Sequence, residues 1–405
     1  MKRFTTLFIV LMCCVQAVIF SQVPCREFEI VESIPVETDL DNTDIRNTAQ
    51  VWLGMINGAE RTLDIEQFYI SNREGEPLED VISAIESAAD RGIEVRIIAE
   101  VAMSKTYPHT LKRLSRRKNI EVRIIEAFKN TGGVQHSKFF IVDKKSVFIG
   151  SQNFDWRALK HIHEIGLRIE HAEYAEALTE IFDLDWKQCH TGKLEKIEKI
   201  DDKNRFLISS EKAGRVEFYS SCSPHGNIPD GFVWDEKAIV DLMDNAEKCI
   251  YIQLLSYSPS TRDGIYYDVL DNAIRRAAIR GVEVKLLCSD WCQKKYEMPF
   301  LKSLVVLPDT EVKLSTIPEW SGGYISYSRV EHCKYMVVDD QYIWLGTSNW
   351  KKDYFHSSRN IGLVVKNSVV NSMMKNIFLK SWKSHYSWSI RPELDYKPKY
   401  YGEKK

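Results

Sequence analysis

Residues 135–156 read QHSKFFIVDKKSVFIGSQNFDW, and residues 331–350 read EHCKYMVVDDQYIWLGTSNW. The spacing recurs 196 positions later: His136, Lys138, Asp143, Gly150 and Asn153 return as His332, Lys334, Asp339, Gly346 and Asn349. The flanks recur too. AERTLDI (59–65) returns as AEKCIYI (246–252), with the apolar alternation of a buried strand. AIESAADRGIEVRIIAEV (84–101) returns as AIRRAAIRGVEVKLLCSD (273–290), an Ala-rich helix, an Arg-Gly stop and a β-branched strand. Gly92 and Gly281 stand where a helix end favours a left-handed residue. Strand-helix-strand order in both copies predicts two versions of one α/β domain.

The chain has 405 residues, which is long for a single core and suits two domains. The pattern breaks between 193 and 235, through charge-rich KLEKIEKIDDKNR and then SSCSPHGNIPDG. The predicted division is 27–207 and 208–395, with helices following the motifs at 174–186 and 369–382. An irregular, solvent-facing basic tail is expected at 396–405. A net charge of −2 argues against a broadly basic nucleic-acid coat but leaves room for a local basic cleft.

At the N-terminus, Lys2 and Arg3 precede an apolar run that ends near Ser21. This reads as a secretory signal over 1–22, whose apolar run from about Leu7 to Phe20 is shorter than a comfortable bilayer span of about 20 residues. Export to a secreted, periplasmic or luminal location is expected. The competing reading is an uncleaved anchor that ties the protein to a membrane. Beyond Cys13 and Cys14, seven cysteines remain, enough for up to three disulfides whose pairing spacing does not reveal. CSDWC (288–292) has no second Cys or His pair at metal-ligand spacing, and no metal or cofactor is expected.

Within each motif, HSKFFIV is predicted to be a strand, DKKS a tight turn and VFIG the returning strand. Residues two apart share a strand face, so His136 and Lys138 point together, and the return strand delivers Ser151 and Asn153 toward them. Asp143, like Asp339, falls at the turn and suits a structural role. Two such half-sites facing each other would gather two imidazoles, two ammonium groups and two amides. The cations and amides suit the oxygens of a phosphodiester. The imidazoles suit a two-step displacement, one attacking phosphorus while the other protonates the leaving oxygen. A lone His-x-Lys is common by chance, whereas two in register with Gly-Ser/Thr-x-Asn are not.

With these paired motifs the chain resembles the phospholipase D superfamily, and most closely its phospholipase D3/D4-like 5′-exonuclease branch. The resemblance also rests on VESIPVETD (31–39), QVWLGMINGAERTLDIEQFY (50–69), GSQNFDWRAL (150–159), HCKYM (332–336) and LGTSNWKKDYF (345–355). It implies a bilobed fold of two pseudo-symmetric α/β sandwich domains with one active site at their interface. It further implies a phosphohistidine on the first-half histidine, which makes His136 the nucleophile and His332 the general acid, then base. The reverse assignment is chemically allowed. Lys138, Lys334, Asn153 and Asn349 would hold the phosphate, with Asp143, Asp339, Ser151 and Ser348 in support. Family members often carry an acidic residue after each motif that orients the opposite imidazole. Glu164 fits this, 28 positions after His136, but the matching position after His332 is the neutral Asn360. Crossed pairing would then give the two imidazoles unequal partners and unequal pKa values.

The resemblance leaves the diester open. A single-strand 5′-exonuclease is the first reading, a phospholipase or transphosphatidylase the second, and a catalytically silent envelope or membrane interaction protein the third. Trp320, Tyr324 and Trp350 are the candidate substrate contacts, since aromatic faces stack on unpaired bases. The basic run LKRLSRRKN (111–119) either steers a polyanion or forms a solvated helix face. Oligomeric state is not legible.

Overall fold

A computed structural model describes residues 28–197, 203–261 and 263–403, so the expected signal segment lies outside the described residues. Two mixed sheets carry the repeat. In the first, the strand order is Arg46–Asn47, Phe28–Ser33, Glu164–Glu170, Ser146–Gly150, Lys138–Val142, Thr62–Gln67, Glu94–Glu100 and Ile120–Ile125. The second sheet repeats that order from Gly214–Ser223 through Asn360–Lys366, Tyr342–Gly346, Lys334–Val338, Cys249–Leu254 and Glu283–Ser289 to Thr310–Ser315. It adds strands at Phe206–Ser210 and Ser387–Ser389, and Val233–Trp234 pairs beside Gly214–Ser223. Thr62–Gln67, Glu94–Glu100 and Ile120–Ile125 are mutually parallel, as strands joined by crossovers must be, while the motif hairpins are antiparallel. The expected pair of α/β domains is therefore present.

Each sheet is covered on both faces. Helices Thr48–Asn57 and Leu78–Asp90 bury Trp52, Val81, Ile82 and Ile85 against one face of the first sheet. Asp235–Asp244 and Val269–Ile279 do the same for the second. The facing sides of the sheets share one apolar cluster. Phe139, Ile149, Leu167, Leu178 and Phe182 meet Tyr335, Leu345, Leu363, Phe378 and Trp382 there. A common core fixes how the two motifs approach each other.

Gly92 and Gly281 have φ of 94° and 82°, the left-handed stops expected of them. The helices after the motifs run Ala172–Thr191 and Ser368–Lys383, longer than the apolar periodicity suggests. Their starts are set by side-chain caps: His171 accepts from the Tyr174 N–H and Asn367 from the Val370 N–H. The predicted 207/208 division cuts strand Phe206–Ser210, all of which belongs to the second sheet. The tail is irregular and largely solvent-facing as expected, yet it is tethered at several points. The Tyr401 ring stacks 4.1 Å from Trp291, the Tyr401 carbonyl accepts from the Tyr327 N–H, and Lys399 pairs with Asp290. Cys189, Cys249, Cys288, Cys292 and Cys333 are free thiols, so none of the disulfides allowed by count joins these five. No helix among the described residues is long and apolar enough to cross a membrane.

Candidate active site

Both hairpins form, but the strands begin at Lys138 and Lys334, two residues beyond the histidines. The segment before each strand leaves its own sheet to pair with the other domain. The His136 N–H donates to the Arg359 carbonyl at 2.8 Å, and the His332 N–H donates to the His163 carbonyl at 2.9 Å. The turn aspartates act at the far ends of the strands. Asp143 accepts from the N–H groups of Glu60, Arg61 and Thr62, and Asp339 from those of Glu247, Lys248 and Cys249. Gly150 of the motif is required by a close strand crossing. A Cβ there would lie 2.7 Å from the Gly166 Cα and 2.9 Å from the Ile165 oxygen.

The orienting partners are crossed. His332 Nδ1 lies 2.7 Å from Glu164 Oε2, and His136 Nδ1 lies 3.0 Å from Asn360 Oδ1. The Asn360 amide can face only one way. Its Nδ2 donates to the Tyr354 carbonyl at 2.8 Å, and its Oδ1 also accepts from Thr347 Oγ1 at 3.0 Å. Oδ1 therefore accepts from His136, whose proton sits on Nδ1 and whose Nε2 keeps a lone pair. Lys138 Nζ donates to the His136 carbonyl at 2.6 Å, and Lys334 Nζ to the His332 carbonyl at 2.5 Å. Phe68 packs 4.9 Å from the His136 ring and 5.1 Å from Lys138 Nζ, and Tyr354 stands edge-on to His136 at 4.9 Å. Asn153 and Asn349 are buried, and the Oδ1 of each has no protein partner.

Charge in this enclosed space is redistributed. Burial, then the charges of Lys138 and Lys334, hold His136 well below the usual imidazole range. Burial and the same two lysines do likewise for His332, with His136 adding to the effect. The expected inequality is thus in the partners rather than in the direction of the shifts. Burial lowers Lys334 to about 8 and, with the charge of Lys334, pushes Lys138 well down. Burial raises Glu164 to about 8. The raised Glu164 and the lowered His332 together favour the carboxyl as the holder of the proton between them.

The supporting residues divide. Ser151 Oγ bonds the backbone of Ile165, and its counterpart in the second half is Thr347, whose Oγ1 accepts from the Ile361 N–H and donates to Asn360. Ser348 instead donates to Asp235 at 2.6 Å and takes no part in the cluster, because successive residues of an extended segment face opposite ways. Trp350 is 1% exposed and packs on Trp344 in the core, which removes it as a substrate contact. Trp320 lies against His161, and Tyr324 Oη donates to the Gly402 carbonyl at 2.5 Å. Both hold the loop that precedes the second motif. In the basic run, Arg113 and Arg117 pair with Glu79 and Glu86, as a solvated helix face would. Phe68 and Thr347 are additions. Thr347 had a readable signal, its alignment with Ser151.

The cardiolipin synthase, PLD-like domain family matches residues 53–186 and 239–382, one match per sheet. The 5′-3′ exonuclease PLD3 of Macaca fascicularis is 32% identical, covering 92% of this chain and 82% of its own length. A probable phospholipase D of Caenorhabditis elegans is 31% identical over 90% of this chain and 71% of its own. Among solved structures, phosphatidylserine synthase of Haemophilus influenzae aligns with a TM-score of 0.59 over 84% of this chain and 85% of its own. At 13% identity it shares the fold alone.

Proposed function

This chain belongs to the phospholipase D-like family of phosphodiesterases, and on that premise we propose that it is an exported 5′-exonuclease acting on single-stranded nucleic acid through a phosphohistidine on His136. The observation that carries the mechanism is the unequal crossing of partners. Asn360 fixes the His136 tautomer with Nε2 unprotonated, and Glu164 sets a proton behind His332.

His136 Nε2 attacks phosphorus, a P–N bond forms, and the P–O bond to the leaving strand breaks. The leaving oxygen takes the proton from His332 Nε2, while His332 Nδ1 takes the proton of the Glu164 carboxyl. His332 is left neutral with a bare Nε2, and Glu164 is left ionised. In the second step His332 Nε2 removes a proton from water, the resulting hydroxide attacks phosphorus, and the P–N bond breaks. The proton on Nδ1 returns to Glu164, restoring the starting state. Lys138, Lys334 and the side-chain amides of Asn153 and Asn349 meet the charge on the phosphoryl oxygens, so the scheme needs no metal ion.

The choice of nucleic acid is supported by the 5′-3′ exonuclease relatives at 32% identity. Export is supported by the charged start and short apolar run of residues 1–22. The test is to offer the full-length protein, in chelator, a 5′-hydroxyl single-stranded oligonucleotide, a duplex and phosphatidylcholine. His136→Ala and His332→Ala serve as controls. Mononucleotide release from the single strand by the wild type alone is expected. Choline release without nucleotide release would move the assignment to lipid head groups, and loss of activity in chelator would overturn the metal-free scheme.

A further inference from the structure

The pseudo-symmetry of the site breaks two residues beyond each asparagine, where Asp155 in the first half answers to Lys351 in the second. On the Asp155 side stands a buried, hydrogen-bonded cluster. Asp155 is 1% exposed, accepts from Arg157 Nη2 at 2.5 Å and from Tyr69 Oη at 2.7 Å. Arg157 also donates to the Ser326 carbonyl of the loop before the second motif, at 3.2 Å, and to Tyr107 Oη at 3.2 Å. On the Lys351 side a cleft of about 720 Å³ opens, walled by Lys294, Tyr296, Lys351, Lys352, Tyr354 and His356. It is linked to the reacting centre through Tyr354, the ring that stands edge-on to His136.

Three features of this cleft suit a strand. Tyr296 is 70% exposed, an aromatic face with no core to serve, set beside lysines. No aliphatic side chain lines the walls among the described residues, and Ser258, Ser260 and Thr261 do, which disfavours acyl chains. Three carboxylates, Asp263, Glu297 and Asp353, share the walls and formally balance the three lysines, so the ammonium groups act on a strand locally rather than through a net positive field. The buried Glu297 sits 3.6 Å from both Lys294 and Lys351, beyond hydrogen-bond length, so it gathers the ammonium groups without saturating their donors.

We propose that this cleft is the groove for the single strand flanking the scissile phosphate, with Tyr296 stacking a base and Lys294, Lys351 and Lys352 meeting backbone phosphates. The inference rests on the nuclease reading above. A stacking face with ammonium groups beside it is how single strands are held without sequence preference.

The test measures binding in the non-cleaving His136→Ala background, using fluorescence anisotropy with a labelled oligothymidylate of about 12 nucleotides, within the usual range of single-strand site sizes. Tyr296→Ala is expected to weaken binding about tenfold. Lys352→Ala is expected to lower the slope of log K against log salt by about 0.7. In the active enzyme, each variant should lower kcat/KM for the oligonucleotide relative to that for bis(4-nitrophenyl) phosphate. Binding insensitive to both substitutions, with wild-type cleavage of the oligonucleotide intact, overturns the groove alone. A wild type that hydrolyses the small diester but neither binds nor cleaves the oligonucleotide overturns the nuclease reading and the groove with it.

Discussion

His136 Nδ1 and Asn360 Oδ1 lie 3.0 Å apart across the domain boundary, in the place where the other half sets Glu164 against His332. A neutral partner leaves His136 to burial and the two lysines, which keep it unprotonated well below the usual imidazole range. Asn360→Asp would supply a carboxylate at the same distance. An adjacent opposite charge raises an imidazole pKa by about 1–3 units. The acid limb of the kcat/KM profile should move up by the same amount, because a protonated nucleophile cannot attack. The pH profile on a small diester checks this, and an unmoved acid limb would remove His136 from the nucleophile's role.

Glu164 bears on the opposite limb. With its carboxyl raised to about 8, the Glu164–His332 pair holds its proton up to that pH, and the rate should fall above it. In Glu164→Gln, His332 stands alone with its pKa held well below 6.5 by burial and the lysines. The basic limb should therefore drop from about pH 8 to below 6.5. Loss of general-acid assistance costs about 10²–10⁴ in rate for a poor leaving group. The loss should shrink for 4-nitrophenolate, which departs without a proton. An equal loss on alkoxide and nitrophenolate leaving groups would count against the relay.

Asp143 separates structure from chemistry. It lies roughly 20 Å along the strand from His136 at about 3.3 Å per residue. Its carboxylate takes the N–H groups of Glu60, Arg61 and Thr62 at 2.9, 2.7 and 2.9 Å. Asp143→Ala strands those donors, and the expected loss is about 2–4 kcal/mol of unfolding free energy. Chemical denaturation measures it. Activity per folded molecule should stay near wild type, and a selective fall in kcat would place the residue nearer the reaction than the hairpin allows.

Much of this site was legible because duplication makes spacing into evidence. The equal offset of Glu164 and Asn360 from their histidines anticipated the crossed contacts, and the same logic applied to Ser151 would have selected Thr347 over Ser348. Adjacency misled at Trp350. It follows the asparagine of the second motif but turns into the core, where it packs on Trp344. Phe68 reaches the His136 ring from another segment of the same domain and Tyr354 from the second domain, and no periodicity marks either contact. The tethering of the tail was hidden for a related reason. Tyr401 stacks on Trp291 from an irregular segment, and irregular chain carries no pattern that marks a tether.

The lysines predict how the empty site takes up an anion. Lys334, lowered to about 8, and Lys138, also pushed down, are costly to charge together inside the protein. A phosphate or tungstate ion between them would reverse that cost and raise both pKa values. Binding at pH 8–9 should therefore take protons from solution, and affinity should tighten as pH falls through about 8. Glu164 works in the same direction, since a bound anion favours its neutral form. Calorimetry in buffers of different ionisation enthalpy measures the uptake. Glu164→Gln should keep the share due to the lysines, and Lys334→Met should lose most of it. Binding that takes up no protons in the wild type would mean that both lysines are fully charged before the anion arrives, and the basis for their role as phosphate-triggered cations would be lost.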